Sequence, residues 1–229
     1  MSNVAVITAR GGSKRIPRKN IKLFRGKPII AYSIETALQS ELFDMVMVST
    51  DDKEISEVSK KYGAEVPFFR SDINSDDHSG TADVIMEVIA QLKNIDKNFE
   101  NACCIYPTAP FISKESLQHA YQLLKEKKHD IVFPVCQFSY PVLRSLKINE
   151  DGKVEMIWPE NMNKRSQDLP PAYHDAGQFY WIHVESFLKQ QKIYTSNSGA
   201  IVLSELQVQD IDNEVDWKIA EMKHSLLFA

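Results

Sequence analysis

The run Val4-Ala5-Val6-Ile7 is apolar at every position and then breaks at Arg10-Gly11-Gly12. An unbroken β-branched stretch closed by a turn signal reads as a strand buried on both faces, which demands layers packed above and below it. Arg10, Lys14, Arg15, Arg18 and Lys19 follow within a few residues, although the 229-residue chain has a formal net charge of −4. The positive charge is therefore local. Strand, glycine turn free of Cβ atoms and dense cations suit a polyphosphate held at the carboxyl end of a parallel strand. A solvated basic loop or a nucleic-acid patch is the plainer alternative, and the overall acidity speaks against general nucleic-acid affinity. The loop is neither a Walker A motif nor Gly-x-Gly-x-x-Gly.

Downstream, strand and helix signals alternate. Strand Asn3–Ala9 leads to a helix within Lys27–Ser40, where Ile30, Ile34, Ala37 and Leu38 recur at helical spacing and Pro28 falls near the start. Asp44–Ser49 is a second strand, and Asp51 with Glu54 predicts a cap for a helix ending at Lys61-Tyr62-Gly63. Ala64–Arg70 reads as an extended edge segment because it contains Pro67. A polar loop, Ser71–Gly80, precedes an amphipathic helix through Val84, Ile85, Val88, Ile89 and Leu92. Strands at Cys103–Tyr106 and Ile131–Val135 flank a helix around Glu115–Lys128. The alternation predicts an α/β fold: a mostly parallel, Rossmann-like sheet flanked by helices, with right-handed crossovers. Ligands in such sheets bind at strand carboxyl ends, where the turns at Gly11, Asp51, Pro107 and Pro134 are expected to gather.

After Pro134 the pattern changes. Ser145–Ile148 and Val154–Trp158 flank Asp151-Gly152, a hairpin signal, and a proline-containing polar stretch runs to Pro171. This reads as an excursion from one domain spanning 1–229. The chain re-enters with Gly177–His183, a helix near Glu185–Gln191, Gly199–Leu203 and a last helix opened by Gln209–Asp216.

The length suits one α/β domain with a substantial core. No basic segment followed by a long apolar run opens the chain, and no stretch approaches a membrane span, so neither a signal peptide nor a membrane partner is expected. Cys103, Cys104 and Cys136 are odd in number and two are adjacent, which disfavours a disulfide framework, and no zinc spacing occurs. A reducing cytoplasm is the expected location.

Besides the basic loop, two groups carry possible chemistry. In extended backbone, Asp210 and Asp212 project to one face. Paired carboxylates suit Mg²⁺, which keeps waters and bridges carboxylates to substrate phosphates. Helix capping by Asp212 or Asn213, with Asp216 in the first turn, is the structural alternative. The stretch Gln167–Tyr180 mixes amides, carboxylates and aromatics as a polar pocket requires, or forms an ordinary loop entering a strand. Asp51 binds a ligand or caps a helix. Arg70, Asp76, Asp77 and Ser79 lie on a loop that closes over a site or is simply polar.

The segment Ala9-Arg10-Gly11-Gly12-Ser13-Lys14-Arg15-Ile16-Pro17-Arg18-Lys19-Asn20 closely resembles the opening motif of the nine-carbon-sugar cytidylyltransferases, the CMP-sialic acid synthetases and their relatives. The resemblance continues, in family order, through Ser49-Thr50-Asp51, Pro67-Phe68-Phe69-Arg70, Thr81-Ala82-Asp83-Val84, Pro107-Thr108-Ala109-Pro110 and Asp210-Ile211-Asp212. It implies transfer of CMP from CTP to a 2-keto sugar acid, with Mg²⁺ as cofactor and release of pyrophosphate. By the same resemblance Arg10, Gly11, Gly12, Ser13, Lys14, Asn20, Arg70 and Ser79 bind the nucleotide. Arg10, Lys14 and Asp212 are catalytic, and Asp210 and Asp212 hold the metal. The excursion at about 138–172 becomes a β-containing dimerisation element that reaches over the partner's active site. Two segments depart from the sialic acid pattern: Tyr106 stands where those enzymes usually carry Gln, and Asp175–Trp181 replaces an Asn-Gly-Ala-Ile-Tyr type segment. The stretch Ser166–Trp181 is most similar to the pseudaminic acid branch, which implies sugar binding by Gln167, Asp168, Tyr173, Asp175, Gln178 and Tyr180. Sialic, legionaminic and deoxyoctulosonic acids are the alternative substrates.

Overall fold

A computed structural model describes residues 2–75 and 79–228. In chain order the elements are β1 (Asn3–Thr8), the two-residue strands β2 (Leu23–Phe24) and β3 (Lys27–Pro28), α1 (Ile29–Gln39), β4 (Met45–Ser49), α2 (Lys53–Lys61), α3 (Thr81–Asn94), β5 (Asn101–Ile105), α4 (Lys114–Lys127) and β6 (Ile131–Gln137). Then come β7 (Leu146–Ile148), β8 (Val154–Met156), β9 (Tyr173–Asp175), β10 (Phe179–His183), α5 (Val184–Gln190), β11 (Ser198–Leu203) and α6 (Glu214–Leu227).

The sheet order is β11-β6-β10-β5-β1-β4, with β9 added against β6. β1 pairs in parallel with β4 and β5, and β11 pairs in parallel with β6. β10 enters between β5 and β6 and runs antiparallel to both. The sheet is thus mixed but mostly parallel, as the alternation of signals predicts. Residues 64–70 follow the edge of β4, where Glu65 exchanges backbone hydrogen bonds with Val46 and Val48 at 2.9 Å.

β1 is buried on both faces because its residues divide between two cores. Ala5 and Ile7 join Ile34, Leu117 and Trp181 on the α1/α4 side. Val4 and Val6 join Ile85, Val88 and Phe187 on the α3/α5 side. Cys103 and Cys104 fall on opposite sides by the same alternation, and all three cysteines are free and buried. Trp181 is fully buried, stacks between Phe43 and Tyr121, and satisfies its indole by donating to Leu117 O at 3.1 Å.

Two expected turns move. β6 continues through Pro134, whose position falls where the neighbouring strand changes from β10 to β9, so the donor that proline lacks is not needed. The helix after β4 is capped by Asp52 rather than Asp51. Ile55 is the third residue of α2, and its N–H is reached at 2.9 Å by the side chain immediately before the helix. The excursion leaves β6 at Gln137 and returns at Tyr173, and its β7–β8 hairpin pairs Ile148 with Val154. Among the described residues no helix is long and apolar enough to cross a membrane.

Candidate active site

The turn after β1 is tied down before any ligand is considered. Gly11 N–H donates to Asp51 Oδ1 at 2.8 Å, and Asn20 Nδ2 donates to Arg10 O at 2.8 Å. A Cβ on Gly11 would lie 2.9 Å from Asp52 Oδ2, so the glycine is demanded by the protein's own packing. Gly12, in contrast, has nothing within 4 Å of that position.

Arg10, Lys14, Arg15 and Lys19 line a cleft of about 460 Å³ at the carboxyl ends of β1 and β5, together with Ser13 and Asn20. Arg70, Ser79 and Tyr106 form its other side. Arg70 is buried and anchored to the end of β4, donating through Nε to Ser49 Oγ (3.0 Å) and through Nη2 to Ser49 O (2.6 Å). Burial pushes its guanidinium below the ordinary value, opposed by Asp51. Ser79 Oγ donates to Ile73 O at 2.8 Å. Asp76 and Asp77 lie outside the described residues.

The acidic pair meets the basic loop directly. Ile211 is buried, whereas Asp210 and Asp212 on either side retain exposure, as extended alternation predicts. Arg15 Nη2 lies 2.7 Å from Asp212 Oδ1, and Lys19 Nζ lies 3.9 Å from the same oxygen while donating to Ile211 O at 2.7 Å. Burial raises the pKa of Asp210, reinforced by Asp212 and opposed by Lys19. Burial lowers that of Lys19, opposed by Asp212 and Asp210. Capping falls to neighbouring residues. Asn213 Oδ1 accepts from Val215 N–H and Asp216 N–H, and Asp216 Oδ2 accepts from Asp212 N–H and Asn213 N–H. This leaves the carboxylates of Asp210 and Asp212 outside the cap.

No group of three or more His, Cys, Asp or Glu side chains poised for a metal occurs among the described residues. Two carboxylates beside the cations of the cleft nevertheless fit Mg²⁺, which takes one or two protein carboxylates and completes its shell with water and substrate oxygens. Burial is the main reason Asp210 is raised, and the charge of Asp212, which adds to it, is the part that a bound cation would offset.

The six residues expected to bind sugar divide. Gln178 and Tyr180 are buried beside the cleft: Tyr106 N–H donates to Gln178 O at 2.8 Å, and the Tyr106 and Tyr180 rings lie 5.6 Å apart. Tyr180 OH donates to Asp175 Oδ2 at 2.5 Å, Tyr194 OH donates to the same oxygen at 2.6 Å, and Gly177 N–H donates to Asp175 Oδ1 at 2.7 Å. Burial, with the Asp175 charge adding to it, holds the Tyr180 phenol far above its ordinary range. Asp175 and Tyr180 therefore back the wall that Tyr106 presents. Tyr173 is exposed on β9. Gln167 and Asp168 sit in a short turn of the excursion, where Gln167 borders a separate depression with Phe138 and Tyr140. Arg15 and Lys19 stand out in the sequence only as loop charge, because their partners lie nearly two hundred residues downstream, Ile211 being 192 residues from Lys19, and local spacing cannot reveal them.

A mostly parallel sheet with a cationic cleft at its strand ends, faced by paired carboxylates, defines a nucleotide-handling transferase. The cytidylyltransferase family model matches residues 4–224, and the chain belongs to that family, a family of nucleotidyltransferases. It is 42% identical to the pseudaminic acid cytidylyltransferase of Campylobacter jejuni over 226 residues, 99% of this chain and 97% of that one. It is 32% identical to the CMP-N,N'-diacetyllegionaminic acid synthase of Legionella pneumophila, covering 96% of this chain and 95% of that one. In fold it is similar to a CMP:2-keto-3-deoxy-manno-octonic acid synthetase solved with CTP, with a TM-score of 0.74 at 16% identity and 100% coverage of both chains.

Proposed function

We propose that this protein transfers CMP from CTP to a nine-carbon 2-keto sugar acid, pseudaminic acid, with release of pyrophosphate. The observation that carries the chemistry is the meeting of the cleft's four loop cations with the Asp210–Asp212 pair through Arg15 and Lys19. The choice of sugar is supported by whole-length similarity to the Campylobacter jejuni enzyme.

In this reading Arg10, Ser13 and Lys14 hold the triphosphate, and Arg70 with Ser79 fixes the cytosine and ribose. The sugar's anomeric hydroxyl attacks the α-phosphorus in line, the bond to the β-phosphate oxygen breaks, and pyrophosphate leaves. Lys14 and Arg10 offset charge gathering on the leaving group, and positioning does most of the remaining work. Asp210 and Asp212 would hold Mg²⁺, which when bound neutralises phosphate charge and lowers the pKa of the attacking hydroxyl. The hydroxyl proton passes to a carboxylate of this pair or to water. Gln178, Tyr180 and Asp175 support the sugar side of the cleft from behind Tyr106. Residues 138–172 form the dimerisation element of a single nucleotidyltransferase domain working in the cytoplasm, and exposed apolar side chains on its hairpin support that role. Gln167, Asp168 and Tyr173 then address the sugar in the partner's cleft.

The test incubates the protein with CTP, Mg²⁺ and, separately, pseudaminic, sialic, legionaminic and deoxyoctulosonic acids while measuring pyrophosphate. Fastest release with pseudaminic acid is expected. Faster release with another acid overturns the sugar assignment, and CTP binding without turnover on any of them overturns the enzyme reading in favour of a binding module.

A further inference from the structure

Of the loop's cations, Arg18 alone does not line the cleft. It turns back onto the start of α2, where Nη1 donates to Asp52 Oδ2 at 2.6 Å and Nη2 donates to Asp52 Oδ1 at 2.9 Å and to Glu54 Oε2 at 2.5 Å. Asp52 is the carboxylate that fills the space a Cβ on Gly11 would need. Gly11 and Arg18, at opposite ends of the phosphate loop, thus close on one side chain.

Local energetics do not account for Arg18. Its backbone lies in the left-handed region (φ 56°, ψ 30°), which disfavours a residue with a Cβ. Its Nε is buried with no acceptor among the described residues. Its side chain is 39% exposed, so solvent screens the ion pair. What the residue supplies is geometry: a planar fork that grips both oxygens of Asp52 and fixes that carboxylate in the space beside Gly11 that a Cβ would otherwise take.

We infer that Arg18 is a positioning residue, acting through Asp52 to hold the Gly11–Ser13 backbone in the shape that receives the nucleotide's phosphates. The inference rests on the reading of this loop as the CTP cradle. It makes the fifth cation of the motif a brace for the other four.

The test compares Arg18→Met, Arg18→Lys, Asp52→Asn and the double variant Arg18→Met/Asp52→Asn with the unaltered protein. Calorimetry gives Kd for CTP without sugar acid, and steady-state kinetics give kcat and both KM values, all where circular dichroism shows folded protein. Asparagine at 52 still caps α2, so that variant keeps the helix if Arg18→Met fails to fold. Arg18→Met is expected to weaken CTP binding on the order of tenfold, with KM for the sugar acid unchanged. Arg18→Lys, charged but without the fork, falls between. The double variant is expected to be no worse than the weaker single one, because both remove one contact. CTP binding by Arg18→Met within twofold of the unaltered protein, additive effects in the double variant, or equal weakening toward both substrates overturns the inference. Absence of CTP binding by the unaltered protein instead overturns the reading of the site, and the inference with it.

Discussion

Ile16 and Ile211, one in the basic loop and the other between the paired carboxylates, are buried in a single apolar cluster with Phe24, Phe111 and Trp217. Their neighbours Arg15 and Asp212 form the 2.7 Å contact across the cleft rim. The two halves of the site are therefore registered by hydrophobic packing beneath them as well as by charge above. Ile211→Ala is expected to lower stability by about 2–5 kcal/mol through cavity formation. It should also lower kcat/KM under conditions where the protein remains folded. Urea denaturation beside pyrophosphate release checks both. Full activity in a destabilised variant would separate packing from registration.

Lys14 lines the cleft proposed to hold the triphosphate. Losing one preorganised electrostatic donor costs ~10²–10³ in turnover, and Lys14→Ala is expected to fall in that range. Single-turnover measurements at saturating CTP isolate the chemical step. Near-normal turnover would remove Lys14 from the catalytic set.

Asp212→Asn discriminates metal binding from capping, because Asn213 and Asp216 supply the cap of α6. The variant is expected to keep its helix content while turnover falls severely and the Mg²⁺ titration shifts to higher concentration. An unchanged Mg²⁺ response would sink the metal assignment.

The Arg18 guanidinium holds the Asp52 carboxyl at about 2, below its ordinary 3.8. A depressed carboxyl adds stability that is present above the unfolded value and is lost as pH falls from about 4 toward 2. With screening at this half-open pair, the contribution is on the order of 1 kcal/mol. Urea midpoints measured from pH 6 down to pH 2.5 should fall more steeply for the unaltered protein than for Asp52→Asn. Parallel curves would show that the pair contributes nothing to acid stability.

Ile148 and Val154, paired across β7 and β8, are 74% and 62% exposed. In the proposed dimer this face is covered by the second copy, so Ile148→Asp with Val154→Asp should yield a monomer by light scattering coupled to gel filtration. A dimer that survives the change would place the interface elsewhere.

Much of the architecture was legible because buried parallel strands leave continuous apolar runs and their helices leave periodic ones. β1, β4, β5 and β6 were each signalled that way. The direction of β10 was not, since a strand's own pattern does not name its neighbours. At the site, Arg10, Ser13, Lys14, Asn20, Arg70 and Ser79 were foreseen and converge on one cleft. The shift of the cap from Asp51 to Asp52 was invisible because both residues have the same chemistry. The outward turn of Arg18 depends on a left-handed backbone that its side chain does not announce.

The antiparallel course of β10 has a further consequence. Phe179, its first residue, lies beside Ile105, the last residue of β5, so the turn that opens β10 meets the cleft while its far end carries α5 away. The parallel strands β1 and β5 deliver their C-terminal loops to the cleft, but this one delivers its approach. Residues 175–178 are tied to β5 and β6, rather than to the loop after β1, by the bonds from Tyr106 N–H to Gln178 O and from Ala176 N–H to Pro134 O. If the proposed sugar contacts hold, substrate choice and phosphate handling arrive in the cleft on separate stretches of chain, one entering a strand and the other leaving one.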